Sequence, residues 1–169
     1  AELSNEEKEN LDRLWAGLSD FRSFARSYDK KLAMGDAFVA ATCLRERGFS
    51  VETIFAADAA RLPADAQLAY RQYLTAGGVI REQIPAEPRG WRLIIDGIFG
   101  IGLTRAPAPP YVAWIQQANQ LRRQHAFPLL ALDCPSGLDA DRGTTLGEAI
   151  AATHTISFIK KKPGLYTAD

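Results

Sequence analysis

Short apolar stretches recur along the chain, among them WRLIID from Trp91, LLALD from Leu129 and ISFI from Ile156. Each is too short for a helix of ordinary length and apolar on both faces of a strand. Between them lie segments with helical spacing. Buried strands alternating with helices of about a dozen residues are what a parallel sheet covered on both faces requires. The chain is therefore predicted to be an α/β domain with a mainly parallel central sheet.

The helical segments carry their own punctuation. Ser4 and Glu7 have the capping-box form, and Leu11, Leu14, Trp15, Leu18 and Phe21 follow at helical spacing, predicting an amphipathic N-terminal helix. The stretch from Arg22 to Met34 has no such pattern and is expected to be irregular. Asp36 is placed to cap a helix over AFVAATCLRER, with Gly48 as its left-handed stop, and a strand is expected from Val51 to Ala56. Pro63 and Asp65 open a further helix through Leu74, which Gly77 and Gly78 close before a short strand at Val79 and Ile80. Pro109 and Pro110 precede YVAWIQQANQLRRQ, in which Val112, Ile115, Ala118 and Leu121 share a face. There is no internal repeat, low-complexity tract or linker, so the 169 residues are expected to form one domain.

Twenty basic and 20 acidic residues leave no net charge, so no global field favours nucleic acid or an anionic membrane as partner. No apolar run approaches the roughly 20 residues of a spanning helix, and nothing resembles a signal peptide. A cytoplasmic location is expected. Cys43 and Cys134 lack metal-ligand spacing and are expected to be reduced thiols.

Two strands end on an acid, IIDGIFGIGLTR at Asp96 and LLALDCPSGLDADRG at Asp133. In an open α/β sheet, ligands settle outside the carboxyl ends of the strands, so both acids should share that edge. A buried mid-strand carboxylate would cost several kcal/mol by the usual order of magnitude, whereas a strand end leaves it hydrated or cation-bound. Gly97, Gly100 and Gly102 let the first loop bring backbone N–H groups to an anion, or simply make a tight connection. In the second loop Pro135, Ser136 and Gly137 serve either a site or a self-satisfied turn. Carboxylate and hydroxyl oxygens suit a hard cation, and an acid so placed suits proton transfer equally.

Together DGIFGIGLTRAP, LALDCPSGLDADRG and THTISFIKKKPGL resemble the NAD(P)H-hydrate epimerase family, also called the YjeF N-terminal domain, from about Gly35 to Leu165. The resemblance implies a three-layer α/β/α Rossmann-like domain that interconverts the R and S forms of hydrated NADH or NADPH, with a potassium ion and usually as a homodimer. Carried over residue by residue, Asp96 and Ser136 match potassium ligands. Gly100, Ile101, Gly102, Leu103, Thr104 and Arg105 match the loop that holds the nucleotide diphosphate, and Asp133 matches the substrate-contacting, catalytic acid. Gly35 and Asp36 are what remains of the family's first glycine-rich loop, also substrate-binding. In that loop, within DKKLAMGDAFVAA, Leu32 and Ala33 stand where the family has two asparagines and Met34 replaces a glycine. Neither Leu32 nor Ala33 offers a cation a side-chain oxygen. Residues 1–34 are thus a divergent helix and loop, or the N-terminus lacks a segment. The chain also ends just past Lys-Pro-Gly-Leu, where family members continue, as expected of a piece of a bifunctional parent with a following dehydratase domain. The altered loop supports an alternative, a nucleotide-binding or oligomerisation module without catalysis.

The remaining conspicuous residues have plainer readings. His125, His154 and Cys134 lack a spaced catalytic partner. Lys160 to Lys162 could face substrate phosphates, but a solvated charge run is the expected reading, and Trp15, Trp91 and Trp114 are expected to be core or dimer-surface residues.

Overall fold

The computed structural model describes residues 33–87, 90–158 and 162–167. The expected N-terminal helix with Trp15, the position of Leu32, and Lys160 and Lys161 lie outside them. The elements are α1 (Ala33–Glu46), β1 (Glu52–Ile54), a 3-10 turn (Ala59–Arg61), α2 (Ala64–Thr75), β2 (Val79–Arg81), β3 (Ile94–Asp96), α3 (Tyr111–His125), β4 (Leu129–Leu132), β5 (His154–Ile156) and α4 (Gly164–Thr167).

All strand pairs are parallel, as expected. Among the described residues they form two separate ladders, β1–β2 and β3–β4–β5, in place of one continuous sheet. In the larger ladder β4 is central, with Asp96 opposite Ala131 and Leu132 opposite Ile156. The last strand was expected at ISFI and is paired over His154–Ile156 instead.

Period-two alternation along β4 makes the layers. Leu130 and Leu132 point to one side, where Ala40 of α1 packs on them with Ile95, Ile156 and Phe158. Leu129 points to the other side and meets Ile115 and Ala118 of α3 together with Ile150. Helices thus cover both faces of β4, and each fully buried leucine contributes about 2 kcal/mol relative to exposure.

Helix α1 is apolar around much of its circumference because it serves two cores. Ala40 faces β4, while Phe38 and Ala41 face α2 and β1. The Phe38 ring makes edge contacts with Phe55 and Tyr70, centroids 5.4 and 5.2 Å apart. The expected stop at Gly48 is a Schellman motif, with the Gly48 N–H on the Arg45 carbonyl and that of Phe49 on Leu44. The start differs from expectation. The helix begins at Ala33, so Asp36 lies in its first turn, where the helix dipole favours an acid, and does not act as the cap.

Candidate active site

The carboxyl ends of β3 and β4 bring the two acid-ended loops side by side. Asp96 closes β3 and is 3% exposed. Its Oδ1 accepts from Ser136 Oγ at 2.6 Å and from the Ile98 N–H at 3.2 Å, and its Oδ2 accepts from the Ser136 N–H at 2.8 Å. Ser136 Oγ accepts in turn from the Phe99 N–H at 2.9 Å. Ser136 therefore staples the loop after β3 to the loop after β4. Burial pushes the Asp96 carboxyl up to about 6, against the pull of the bonds from Ser136 and Ile98.

The oxygens of this pair suit a hard cation. Asp96 is buried without an ion pair among the described residues. Ser136 Oγ, with one lone pair given to Phe99, keeps another, and the Asp96 carboxylate still has unused acceptor capacity.

Asp133 is the residue after β4 and bends the chain out of the strand with φ +67°, a left-handed conformation costing about 1 kcal/mol for a non-glycine residue. Its N–H continues the ladder to the Ile156 carbonyl at 2.7 Å. Its Oδ1 accepts from the Phe158 N–H at 3.1 Å and from the Lys162 ammonium, while Oδ2 has no hydrogen bond among the described residues. Lys162 is no member of a solvated run. Its side chain is 12% exposed, and it also donates to Ser157 Oγ at 3.1 Å and to the Phe158 carbonyl at 2.9 Å.

Sequence reasoning missed Lys162 because its pairing depends on how the loop after β5 docks. The signal available was Gly164. A Cβ there would stand 2.4 Å from the Asp139 carbonyl oxygen and 2.7 Å from that of Ala140, and the Gly164 N–H donates to Ala140 at 2.8 Å. Only glycine fits against this turn, which seats Lys162 two residues earlier. Gly137 is held as closely, with φ +95° and the Glu148 carbonyl oxygen 2.2 Å from where a Cβ would be.

Asp36 reaches the same edge from α1. It is half-buried, and burial together with the charges of Asp133 and Asp65 pushes it up to about 7. Gly35 beside it is buried. Gly100 is half-buried and Leu103 partly so, while Ile101, Gly102, Thr104 and Arg105 are exposed. This segment joins the centre through Phe99, and Thr104 and Arg105 make no side-chain hydrogen bond among the described residues. Cys134 is buried, with its thiol pushed up to about 11, chiefly by burial, which fits an inert core residue. Cys134 is a free thiol, and His125 and His154 are exposed. Trp114 is core and Trp91 is half-buried. No helix among the described residues is long and apolar enough to cross a membrane.

Residues 34–164 match the family model for YjeF-related protein N-terminus. The NAD(P)H-hydrate epimerase of Bordetella bronchiseptica is 44% identical over 129 residues, covering 74% of this chain and 54% of that protein. The bifunctional NAD(P)H-hydrate repair enzyme Nnr of Escherichia coli K12 is 39% identical over 133 residues, 79% of this chain and 25% of that protein. The crystal structure of the yeast protein YNL200c superposes with a TM-score of 0.72 at 17% identity, covering 93% of this chain and 73% of that one, which is a likeness of fold. The chain spans about half the length of the epimerases it matches.

Proposed function

The chain belongs to the family of YjeF-related protein N-termini, and on that premise we propose that it is an NAD(P)H-hydrate epimerase, an isomerase interconverting the R and S forms of hydrated NADH or NADPH. The observation that carries the reading is the convergence of Asp96 with Ser136, and of Asp133 with Lys162, at one carboxyl edge of one parallel ladder. Relatives named for this activity support it.

In this reading the 100–105 loop offers its backbone N–H groups to the nucleotide diphosphate. Asp96 and Ser136 would hold a potassium ion, which would supply positive charge for an anionic substrate. Asp133 contacts the hydrated ring carbon, which carries a hydroxyl and the ring nitrogen. Protonating the hydroxyl lets water leave as the nitrogen lone pair forms an iminium ion, and water then returns to either face. Lys162 fixes Asp133 Oδ1, so that Oδ2 is the oxygen turned to substrate. We further propose a cytoplasmic homodimer, and a parent in which a dehydratase domain accompanies this one, as in the bifunctional relatives.

The composition of the α1 start favours a second reading. Ala33 and Met34 occupy its first turn and bring no side-chain oxygen, as suits a module that binds or oligomerises without catalysis. Turnover separates the two. The epimerase reading expects the R form of hydrated NADPH to be converted faster than it is spontaneously, and a protein whose Tm rises saturably with NADP-type ligand yet shows no such conversion would favour the module.

A further inference from the structure

Three ionisable side chains lie towards the carboxyl end of β4, Lys162 and Asp133 in direct contact and Asp36 on the helix face of Ala40, which packs on that strand, and their bonding is unequal. The Lys162 ammonium has three protons to donate, and Asp133 Oδ1, Ser157 Oγ and the Phe158 carbonyl take all three. Asp133 thus has its cation. Asp36 has none, because no ion pair reaches it among the described residues. It is nevertheless held at this edge. Ala37 and Ala40, just after it in α1, pack with Leu132, Ile156 and Phe158, and Phe158 is the residue whose N–H bonds Asp133. Asp133 and, from α2, Asp65 face it with like charges. Two carboxylates beside one saturated ammonium divide naturally into a charged partner and a protonated one.

We infer that Asp36 is the general acid of the epimerisation, giving its proton to the hydroxyl of the hydrated ring carbon, while Asp133 Oδ2 takes the proton of the water that returns. The inference rests on the epimerase reading and adds a division of labour to it. The step balances. The carbon–oxygen bond breaks with its electrons going to the departing water, the ring nitrogen supplies the pair for the iminium bond, and no redox partner is needed. Proton exchange with solvent restores Asp36 and Asp133, and the reverse reaction exchanges their roles. Burial and the facing charges push Asp36 up to about 7, so it carries a proton near neutrality.

The test is the pH dependence of steady-state epimerisation of the R form of hydrated NADPH by the full chain, between about pH 5 and about pH 9. In the unaltered protein kcat/KM should fall as pH rises through about 7. Asp36→Asn should lower kcat about 100-fold or more with KM within about threefold, and Asp36→Glu should restore part of the loss. Asp65→Asn removes a charge facing Asp36 and should move the falling limb to lower pH with its plateau kept, a result open even if Asp36→Asn fails to fold. An Asp36→Asn enzyme with undiminished kcat, or an Asp65→Asn profile that does not move, overturns the inference and leaves the epimerase reading standing. An unaltered protein without activity overturns both.

Discussion

Ser136 bonds the Asp96 carboxylate twice, through Oγ to Oδ1 at 2.6 Å and through its N–H to Oδ2 at 2.8 Å, across 40 residues of sequence. The two groups are 1% and 3% exposed, so neither bond has water to replace it. Ser136→Ala keeps the N–H and removes the hydroxyl, which leaves Asp96 Oδ1 with only the Ile98 N–H and strands the N–H of Phe99. The expected loss is about 2 kcal/mol of stability in urea unfolding, the usual cost of an unsatisfied buried group. A variant as stable as the unaltered protein would mean that the staple contributes nothing.

Gly164 controls the seating of Lys162. Gly164→Ala pushes a methyl group into the carbonyls of Asp139 and Ala140, and overpacking of this kind costs about 1–3 kcal/mol. The larger effect should fall on turnover, because the displaced loop carries the ammonium away from Asp133. A melting curve together with an activity assay checks this, and activity should fall further than stability alone explains.

Lys162→Met leaves Asp133 with its charge and only the Phe158 N–H on Oδ1. The side chains of the pair are 12% and 15% exposed, and breaking so buried a pair costs about 3 kcal/mol or more. Lys162→Arg should recover less than half of that, since a planar fork does not match the three acceptors that the ammonium meets. Denaturant titration of the two variants is the measurement.

Stability should fall as pH rises from about 4 to about 7. Asp36 and Asp96 are both pushed above their ordinary value of 3.8, to about 7 and about 6. The folded state therefore binds more protons than the unfolded state in that window, and its advantage is complete below the unfolded value and lost as pH passes the folded one. Asp36→Asn should flatten the upper part of the slope. A Tm that climbs steadily over the same range would contradict the burial of these acids.

Much of the layout was legible in the sequence because the signals were local. Runs ending on Asp96 and Asp133 announced strand ends, and alternation along LLAL sets the two faces of β4. The spans of α2 and α3 follow from prolines at their starts. What escaped was tertiary. Lys162 sits in a lysine run that looks solvated until Gly164 docks on the 139–143 turn and delivers it to a residue 29 positions earlier. Asp36 looks like a helix cap, but the chain has already turned helical at Ala33, and Asp36 shares a helix face with Ala40, which packs on β4. The division into two ladders follows from strands of only three or four residues, whose pairing local patterns do not specify.

We propose that the paired strand ends form an epimerase site built around Asp133. The direct measurement is the rate at which the pure R form of hydrated NADPH becomes the S form in the presence of the protein and potassium, compared with Asp133→Asn and with no protein. The unaltered protein should accelerate the conversion well above the spontaneous rate, with a loss of about 100-fold or more in the variant. No gain over the spontaneous rate by the unaltered protein would contradict it.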